Sequence, residues 1–222
     1  SIENADIILE PSGKNTAPAI TLAAMHLERV AQQDCLMLIM PADHIIQPQE
    51  EFLTCINSSI EEAALGSVCT FGILPTKPHT GYGYIEAETA DLSLGINTVN
   101  SFIEKPDLAK ANKFIKNGNY FWNSGIYLLK LSVFISAMDE LAPEIIKYCS
   151  KAMKDSIYDS DFIRPDAEEF SSCPSISVDH ALMEKIIDKG VPVKVSNLIA
   201  EWNEIGSLSS LSDILPKDED GN

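Results

Sequence analysis

Three charged side chains of this sequence stand directly after apolar runs that are typical of buried strands. Asp43 follows the run 36–40, and Glu104 with Lys105 follows the run 98–103. A carboxylate at the lip of a sheet can hold a hard cation such as Mg²⁺, which takes oxygen ligands and keeps several waters. A Glu beside a Lys suits a sugar phosphate, because the carboxylate accepts hydrogen bonds from hydroxyls and the ammonium group meets the phosphate. Taken alone, such residues more often form turns, helix caps or solvated charge pairs.

Pro106 bears on whether Glu104 and Lys105 can share one ligand. A proline ends the strand here and biases the preceding residue, Lys105, towards an extended conformation. Neighbouring residues of a strand face opposite sides of the sheet. The two side chains therefore serve one ligand only if the strand bends or ends at this point.

Two glycine-containing segments supply further polar groups. In segment 80–84, Gly81 and Gly83 allow positive φ and close approach of the backbone to a ligand. In segment 122–125, the amide of Asn123 has the donors and the acceptor needed to recognise a sugar hydroxyl. An ordinary glycine turn and an asparagine that fixes a turn are the alternatives for the two segments.

The scaffold that must position these residues is predicted from the alternation of apolar runs and helical patterns. This alternation is typical of an α/β fold with a Rossmann-like, mostly parallel sheet and helices on both faces. Apolar runs predict strands at 6–9, 36–40, 68–74, 84–87, 98–103, 125–129 and 191–195. Apolar residues at helical spacing predict helices at 17–31, 50–65, 108–116, 132–141, 143–153 and 178–189. In an open α/β sheet, ligands bind outside the carboxyl ends of the strands, where Asp43 and Glu104 fall.

Composition narrows the class of protein. The 222 residues carry a formal net charge of −17, which argues against binding a nucleic-acid backbone or an anionic membrane. No apolar run approaches the roughly 18 residues of a transmembrane helix. Five cysteines without a CxxC pair favour reduced thiols and a cytoplasmic location over a disulfide framework or a zinc site. One domain is predicted for residues 1–216, and the polar, acidic segment 217–222 is interpreted as the start of a linker.

Six segments occur in the order seen in mannose-1-phosphate guanylyltransferases, which this chain resembles. They are Glu10-Pro11-Ser12-Gly13-Lys14-Asn15-Thr16-Ala17-Pro18-Ala19, Pro41-Ala42-Asp43-His44, Thr80-Gly81-Tyr82-Gly83-Tyr84-Ile85-Glu86, Phe102-Ile103-Glu104-Lys105-Pro106, Trp122-Asn123-Ser124-Gly125 and Ser177-Val178-Asp179-His180-Ala181-Leu182-Met183-Glu184-Lys185. Each segment alone is a weak signal, but six in order are a strong one. The resemblance covers residues 7 to about 217. It is closest to the bacterial long form, whose chain often continues into a mannose-6-phosphate isomerase domain.

The resemblance implies a fold of the nucleotide-diphospho-sugar transferase type and a reaction. Enzymes of this family join GTP and mannose 1-phosphate to give GDP-mannose and pyrophosphate. The sugar phosphate attacks the α-phosphorus in line, so catalysis consists mostly of positioning and charge neutralisation. The implied catalytic residues are Asp43, Lys105 and Glu204, of which Asp43 and Glu204 bind Mg²⁺. The implied sugar-phosphate pocket consists of Glu104, Lys105, Asn123, Gly83 and Tyr82, and Lys14, Asn15 and Thr16 lie near the guanine nucleotide.

Two departures from the family pattern bear on activity. The family's Gly-Trp-Ser-Asp-Val-Gly stretch is here Glu201-Trp202-Asn203-Glu204-Ile205-Gly206, so Glu204 carries one more methylene than the usual metal ligand. Mg²⁺ demands tight octahedral geometry, and a misplacement near 1 Å in a positioned site can cost about 10²-fold in rate. The family's Gly-rich loop, of the form GGxGxRLWPLSR, is absent from the 222 residues. We therefore expect an N-terminally incomplete domain with little or no turnover by itself.

These departures from the family pattern motivate two further hypotheses for the function. Glu201 and Glu204 also suit a non-catalytic paralogue, which would bind sugar nucleotides or have a regulatory role. A relative that uses another sugar 1-phosphate or nucleotide is the third hypothesis, because base and sugar choice rest on a few contacts. A homodimer is compatible with the sequence, which does not determine the oligomeric state. Ser177 and Asp179 stand at the start of the helix predicted at 178–189, so both are interpreted as capping residues.

Overall fold

The computed structural model describes residues 5–89, 95–159 and 162–204, with Asn203 and Glu204 described by their backbone alone. The strands are β1 (Ile7–Ile8), β2 (Leu36–Ile39), β3 (His44–Gln47), β4 (Val68–Ile73), β5 (Tyr84–Ala87), β6 (Ile96–Ile103), β7 (Tyr120–Lys130), β8 (Ile157–Asp159), β9 (Phe162–Arg164), β10 (Val193–Asn197) and β11 (Glu201–Glu204). The α-helices are α1 (Thr16–Val30), α2 (Gln49–Ala64), α3 (Leu108–Asn117), α4 (Leu131–Leu141), α5 (Pro143–Lys154), α6 (Ala167–Ser171) and α7 (Glu184–Ile186). The predicted linker at 217–222 lies outside the described residues.

A six-stranded sheet in the order β2-β7-β4-β10-β6-β5 forms the centre of the fold. The predicted α/β class is confirmed, but the prediction of a mostly parallel sheet is wrong for the described strands. Only β4 and β10 pair in parallel within this sheet, and β7 runs antiparallel to β2, β4 and β5. The reason is that β7 inserts between β2 and β4 in the reverse direction, and β6 likewise runs antiparallel to both β10 and β5. Neither composition nor periodicity reveals the direction of a strand.

Helices cover both faces of this sheet, as predicted. In β7, Tyr127 and Leu129 belong to the larger hydrophobic cluster, together with residues of α1, α4 and α5. Ile126 and Leu128 belong to a second cluster, together with Phe52 of α2. Because successive side chains of a strand point to opposite faces, the alternation along β7 divides the two clusters.

Two small sheets and one irregular helix complete the described part of the chain. Strand β3 pairs antiparallel with β11, and β1 pairs with β9, which pairs with β8. The single helix predicted at 178–189 is three short pieces: a π-helix at Asp179–Met183, then α7, then a 3₁₀ helix at Ile187–Lys189. Among the described helices, none is both long and apolar enough to span a membrane.

Candidate active site

A cleft of about 450 Å³ opens at the edge of the main sheet, beyond the ends of β2 and β6. The predicted site residues that line it are Thr16, Asp43, Tyr82, Gly83, Glu104, Lys105 and Asn123. Other residues lining the cleft include His44, Tyr127, Asp179 and Trp202. The structure thus brings most of the predicted residues to one cavity, although they are spread over five segments of the sequence.

Glu104 and Lys105 meet at this cleft because β6 ends at Ile103. The backbone of Lys105 has a φ of 44°, in the left-handed region, so the extended conformation predicted from Pro106 is wrong. A left-handed residue reverses the chain direction locally and frees the two side chains from the alternation of a strand. Lys105 Nζ lies 3.3 Å from Glu104 Oε1, so both groups can meet one ligand.

The carboxylate of Glu104 is buried at the base of the cleft, whereas the ammonium group of Lys105 reaches out of it. Their side chains are 9% and 64% exposed respectively. Burial raises the pKa of Glu104, and the nearby carboxylate of Asp179 raises this pKa further, against the opposing effect of Lys105. The backbone N–H of Glu104 donates to Glu184 Oε1 at 3.1 Å, which fixes the turn on its outer side.

Gly83 leaves the space that the Glu104 carboxylate occupies. A Cβ placed on Gly83 comes within 2.6 Å of Glu104 Oε2 and 3.3 Å of the Asn123 Cβ. The carbonyl oxygen of Gly83 accepts the backbone N–H of Asn123 at 2.8 Å. Close approach, and not positive φ, is therefore what requires a glycine at this position.

The side chain of Asn123 lies within a network of protein hydrogen bonds. Its Nδ2 donates to the hydroxyl of Tyr127 at 2.9 Å and to Asp179 Oδ1 at 3.0 Å. Its Oδ1 accepts from the Gly125 N–H at 3.2 Å and from Thr70 Oγ1 at 3.3 Å. The amide of Asn123, which the family resemblance assigns to the sugar pocket, is thus held in one orientation by the protein.

Asp179 was missed by the sequence reasoning, which interpreted it as a helix cap. It lines the cleft, and its Oδ1 accepts from the buried Tyr127 hydroxyl at 2.5 Å. Ser177 does act as a cap, since its Oγ accepts the N–H of His180 at 3.3 Å. The local pattern around Ser177 indicated capping for both residues, and only contacts with β7, distant in sequence, distinguish Asp179.

Asp43 stands at the outer lip of the cleft, with its side chain 56% exposed. His44 Nε2 lies 3.8 Å from Asp43 Oδ1, and His44 Nδ1 accepts a hydrogen bond from Trp202 Nε1 at 3.2 Å. A neutral His44 therefore carries its proton on Nε2, on the side of Asp43. The β3–β11 ladder places the backbone of Glu204 directly opposite His44.

Asp43 is the predicted metal ligand that lines the cleft. Among the described residues, no group of three or more His, Cys, Asp or Glu side chains could hold a metal. Mg²⁺ is typically bound by one or two carboxylates together with waters and substrate phosphates, and not by an all-protein cage. An exposed carboxylate such as Asp43, open to the cleft, has the chemistry that such a site needs.

The three residues predicted near the nucleotide differ in position. Thr16 lines the cleft, and its Oγ1 accepts the N–H of Val178 at 2.8 Å. Asn15 caps α1, with its side chain accepting the N–H of Thr16 at 2.8 Å and a backbone φ of 71°. Lys14 Nζ donates to the carbonyl oxygen of Ser171 at 2.8 Å, so this side chain is anchored away from the cleft.

The aromatic rings of Tyr82 and Trp202 also line the cleft. Tyr82 stacks on His79 with 3.9 Å between ring centroids and meets the edge of Trp202 at 5.2 Å. Tyr82 and Trp202 also border a neighbouring cavity of about 890 Å³, which holds none of the charged residues predicted for the site. The smaller cleft is therefore the candidate active site, because the charged residues Asp43, Glu104 and Lys105 line it.

Comparison with known proteins identifies the family. A family model described as nucleotidyl transferase matches residues 2–221. The chain belongs to the nucleotidyl transferase family. The family assignment agrees with the cleft, in which a lysine and several carboxylates face one cavity.

Individual relatives narrow the resemblance within the nucleotidyl transferases. A mannose-1-phosphate guanylyltransferase of Salmonella montevideo is 42% identical over 228 residues, covering 100% of this chain and 46% of that protein. One from Escherichia coli is 41% identical over 222 residues, covering 98% of this chain and 47% of that protein. The predicted resemblance is confirmed. The chain spans about half the length of these curated relatives.

Solved structures agree with the fold. The crystal structure of a mannose-6-phosphate isomerase from Helicobacter pylori aligns with a TM-score of 0.79 at 32% identity. The alignment covers 91% of this chain and 76% of that chain. The predicted nucleotide-diphospho-sugar transferase type of fold is thereby supported within the confirmed α/β class.

Proposed function

We propose that this nucleotidyl transferase domain forms GDP-mannose and pyrophosphate from GTP and mannose 1-phosphate. The observation that carries the proposal is the Glu104–Lys105 pair, a buried acceptor and an exposed cation 3.3 Å apart at the base of one cleft. A sugar 1-phosphate offers the complementary groups, since its hydroxyls donate hydrogen bonds and its phosphate is anionic. Curated relatives named for this reaction match nearly the whole chain.

The reaction requires the two phosphates to meet in line. A phosphate oxygen of mannose 1-phosphate forms the new bond to the α-phosphorus of GTP, and the bond from that phosphorus to the bridging oxygen of the β-phosphate breaks. Lys105 attracts and orients the attacking phosphate, which it can reach because its side chain extends from the cleft floor. Glu104 accepts hydrogen bonds from hydroxyls of the sugar and so orients the sugar phosphate for attack.

Asp43 and Glu204 are the residues that would hold Mg²⁺. The ion supplies neutralisation of the charge that the two phosphates bring together. His44 and Trp202 support this edge of the cleft by hydrogen bonding and by their edge-to-face contact at 5.2 Å. The backbone pairing of Glu204 with His44 supports the assignment of both acidic residues to one place.

Thr16 lies at the start of α1 and lines the cleft, which supports a nucleotide position beside this helix. Asn15 contributes by capping α1 and shaping the loop in front of it, and not by direct contact through its side chain. Lys14 is bound to the Ser171 carbonyl and would have to leave it to reach a phosphate. Direct phosphate contact by Lys14 is therefore the least supported of the roles that the resemblance implies.

Ligand binding is the first measurement, because residues 1–222 contain no segment of the form GGxGxRLWPLSR. Calorimetric titration with GDP-mannose in the presence of Mg²⁺ should give saturable binding, and UDP-glucose should bind much more weakly. Equal affinity for both sugar nucleotides would favour a relative with another substrate. Binding of neither would refute the proposal.

A further inference from the structure

The two N–H donors of the Asn123 side chain are both used by the protein. An asparagine amide has two donor hydrogens and one acceptor oxygen with two lone pairs. The donors go to the Tyr127 hydroxyl and to Asp179 Oδ1, and the oxygen accepts from the Gly125 N–H. The Thr70 hydroxyl, whose single hydrogen is also within reach of the Ile126 carbonyl oxygen, lies 3.3 Å from the Asn123 oxygen. This leaves Asn123 no free N–H donor to offer the oxygen of a sugar hydroxyl.

Asp179 is the cleft-lining end of this network. Its Oδ1 accepts two hydrogen bonds, from Tyr127 at 2.5 Å and from Asn123 at 3.0 Å. Its Oδ2 accepts no hydrogen bond from the part of the chain that the structure describes, although the residue lines the cleft. A carboxylate of a cleft-lining residue that is held through one oxygen presents its other oxygen as a pre-oriented acceptor.

Asp179 also lies at the start of an irregular helix that supports Glu104. The π-helix begins at Asp179, and the backbone N–H of Glu184 closes its turn by donating to the Asp179 carbonyl oxygen. The Glu184 side chain in turn accepts the backbone N–H of Glu104. Single π-helical turns of this kind occur often at functional sites. One short segment therefore places two carboxylates, those of Glu104 and Asp179, beside the same cavity.

We propose that Asp179 is a sugar-binding residue of this site and that Asn123 is a positioning residue that acts through it. This inference rests on the proposed function and specifies how the sugar is recognised. Asp179 Oδ2 accepts a hydrogen bond from one hydroxyl of mannose 1-phosphate, and Glu104 accepts from another. Asn123 and Tyr127 hold the Asp179 carboxylate at the angle that this contact needs. A pocket made of two acceptors selects a ligand that is rich in hydroxyl donors.

The test is calorimetric titration of the 222-residue chain with mannose 1-phosphate and with its 2-, 3-, 4- and 6-deoxy analogues. Removing the hydroxyl that meets Asp179 should weaken binding to the wild type about tenfold or more, as expected for a hydrogen bond to a charged group. The variant Asp179→Asn should bind mannose 1-phosphate with a similar loss, and it should not distinguish that deoxy analogue from the parent sugar. Asp188→Asn, which removes an exposed carboxylate of the same region, is the matched control and should behave as wild type.

Two further variants distinguish direct contact of Asp179 with the sugar from the positioning of Asp179 by its neighbours. Tyr127→Phe and Asn123→Ser each remove a donor to Asp179 but leave its carboxylate in place, so both should weaken all the sugars and keep the discrimination against the deoxy analogue. They also keep the test valid if Asp179→Asn does not fold. Discrimination that persists in Asp179→Asn, or that disappears in Asn123→Ser while remaining in Tyr127→Phe, would overturn the inference and leave the proposed function standing. Wild-type protein that binds none of these sugar phosphates would overturn both.

Discussion

The Glu104 carboxylate occupies the space into which a side chain on residue 83 would project. A Cβ on Gly83 would lie 2.6 Å from Glu104 Oε2, closer than van der Waals contact allows. The floor of the cleft therefore depends on one glycine, which sits between the segment of aromatic residues and the acid that follows β6. This relationship connects two segments that the sequence presents as independent motifs.

Replacing Gly83 with alanine should displace Glu104 and weaken sugar binding. The backbone at residue 83 is not in the left-handed region, so the effect is steric and not a matter of backbone strain. Overpacking of a tight site typically costs about 1–3 kcal/mol. Because the nearest atom is the end of the Glu104 side chain, which can shift, we expect urea unfolding to show a loss at or below the lower end of this range. Affinity for mannose 1-phosphate should fall at least about tenfold. Gly13→Ala is the control, because a Cβ there has nothing within 4 Å; equal behaviour of the two variants would contradict the prediction.

The buried carboxyl of Glu104 should make stability depend on pH. Its pKa in the folded protein is raised by burial and by Asp179, above the ordinary value of 4.5. The folded state then holds this proton more tightly than the unfolded state, so the contribution of Glu104 to stability falls as pH rises through the interval between the two pKa values. Glu104→Gln should gain stability relative to wild type between pH 4 and pH 7, measured by urea unfolding. An exposed counterpart, Glu168→Gln, should show a smaller change, and a relative loss for Glu104→Gln would refute the assignment.

Thiol reactivity should distinguish Cys35 from the other four cysteines. Cys35 is partly exposed, whereas Cys55, Cys69, Cys149 and Cys173 are buried. Burial raises the pKa of Cys55 to about 11 and that of Cys69 to about 12, so few thiolates form at these sites near pH 8. Ellman's reagent should titrate one thiol rapidly in the native protein and five after denaturation. Rapid reaction of two or more native thiols would show that the clusters around these cysteines are open.

The glutamate at position 204 should bind Mg²⁺ less well than an aspartate would. Its backbone lies opposite His44, next to Asp43, and the longer side chain changes the distance at which its oxygen meets a metal. The ratio of GDP-mannose affinities with and without Mg²⁺ should therefore rise about tenfold in Glu204→Asp and should fall in Glu204→Gln. Glu201→Gln on the same strand is the control. Identical Mg²⁺ dependence in all three variants would remove Glu204 from the metal site.

Much of the fold was predictable because several elements carry their own signal. The apolar run at 36–40 gave β2, and helical spacing gave α1 and α2 to within a residue or so. Strands β3 and β11 were missed, since each has four residues and is stabilised by pairing with the other. The reverse direction of β7 was also missed, because an apolar strand reads the same in both directions.

Residues of the candidate site could be predicted where they directly follow the end of a strand. They were missed where their place in the cleft depends on contacts between residues distant in sequence. Asp43, Glu104 and Lys105 were found from their positions, and the structure places all three on one cleft. Asp179 was assigned to a cap, because its contact with Tyr127 joins residues 52 positions apart and leaves no local pattern. The left-handed turn at Lys105 likewise overrides the preference that a following proline imposes.

Equilibrium binding of mannose 1-phosphate to the wild type and to Lys105→Met tests the central claim most directly. Methionine keeps much of the apolar stem of the side chain and removes the charge that is placed beside Glu104. Wild-type protein should bind the sugar phosphate saturably, Lys105→Met should lose about tenfold or more in affinity, and Lys113→Met, on the exposed face of α3, should bind as wild type. Unchanged affinity in Lys105→Met, with the wild type binding normally, would contradict the assignment of this cleft to the sugar phosphate.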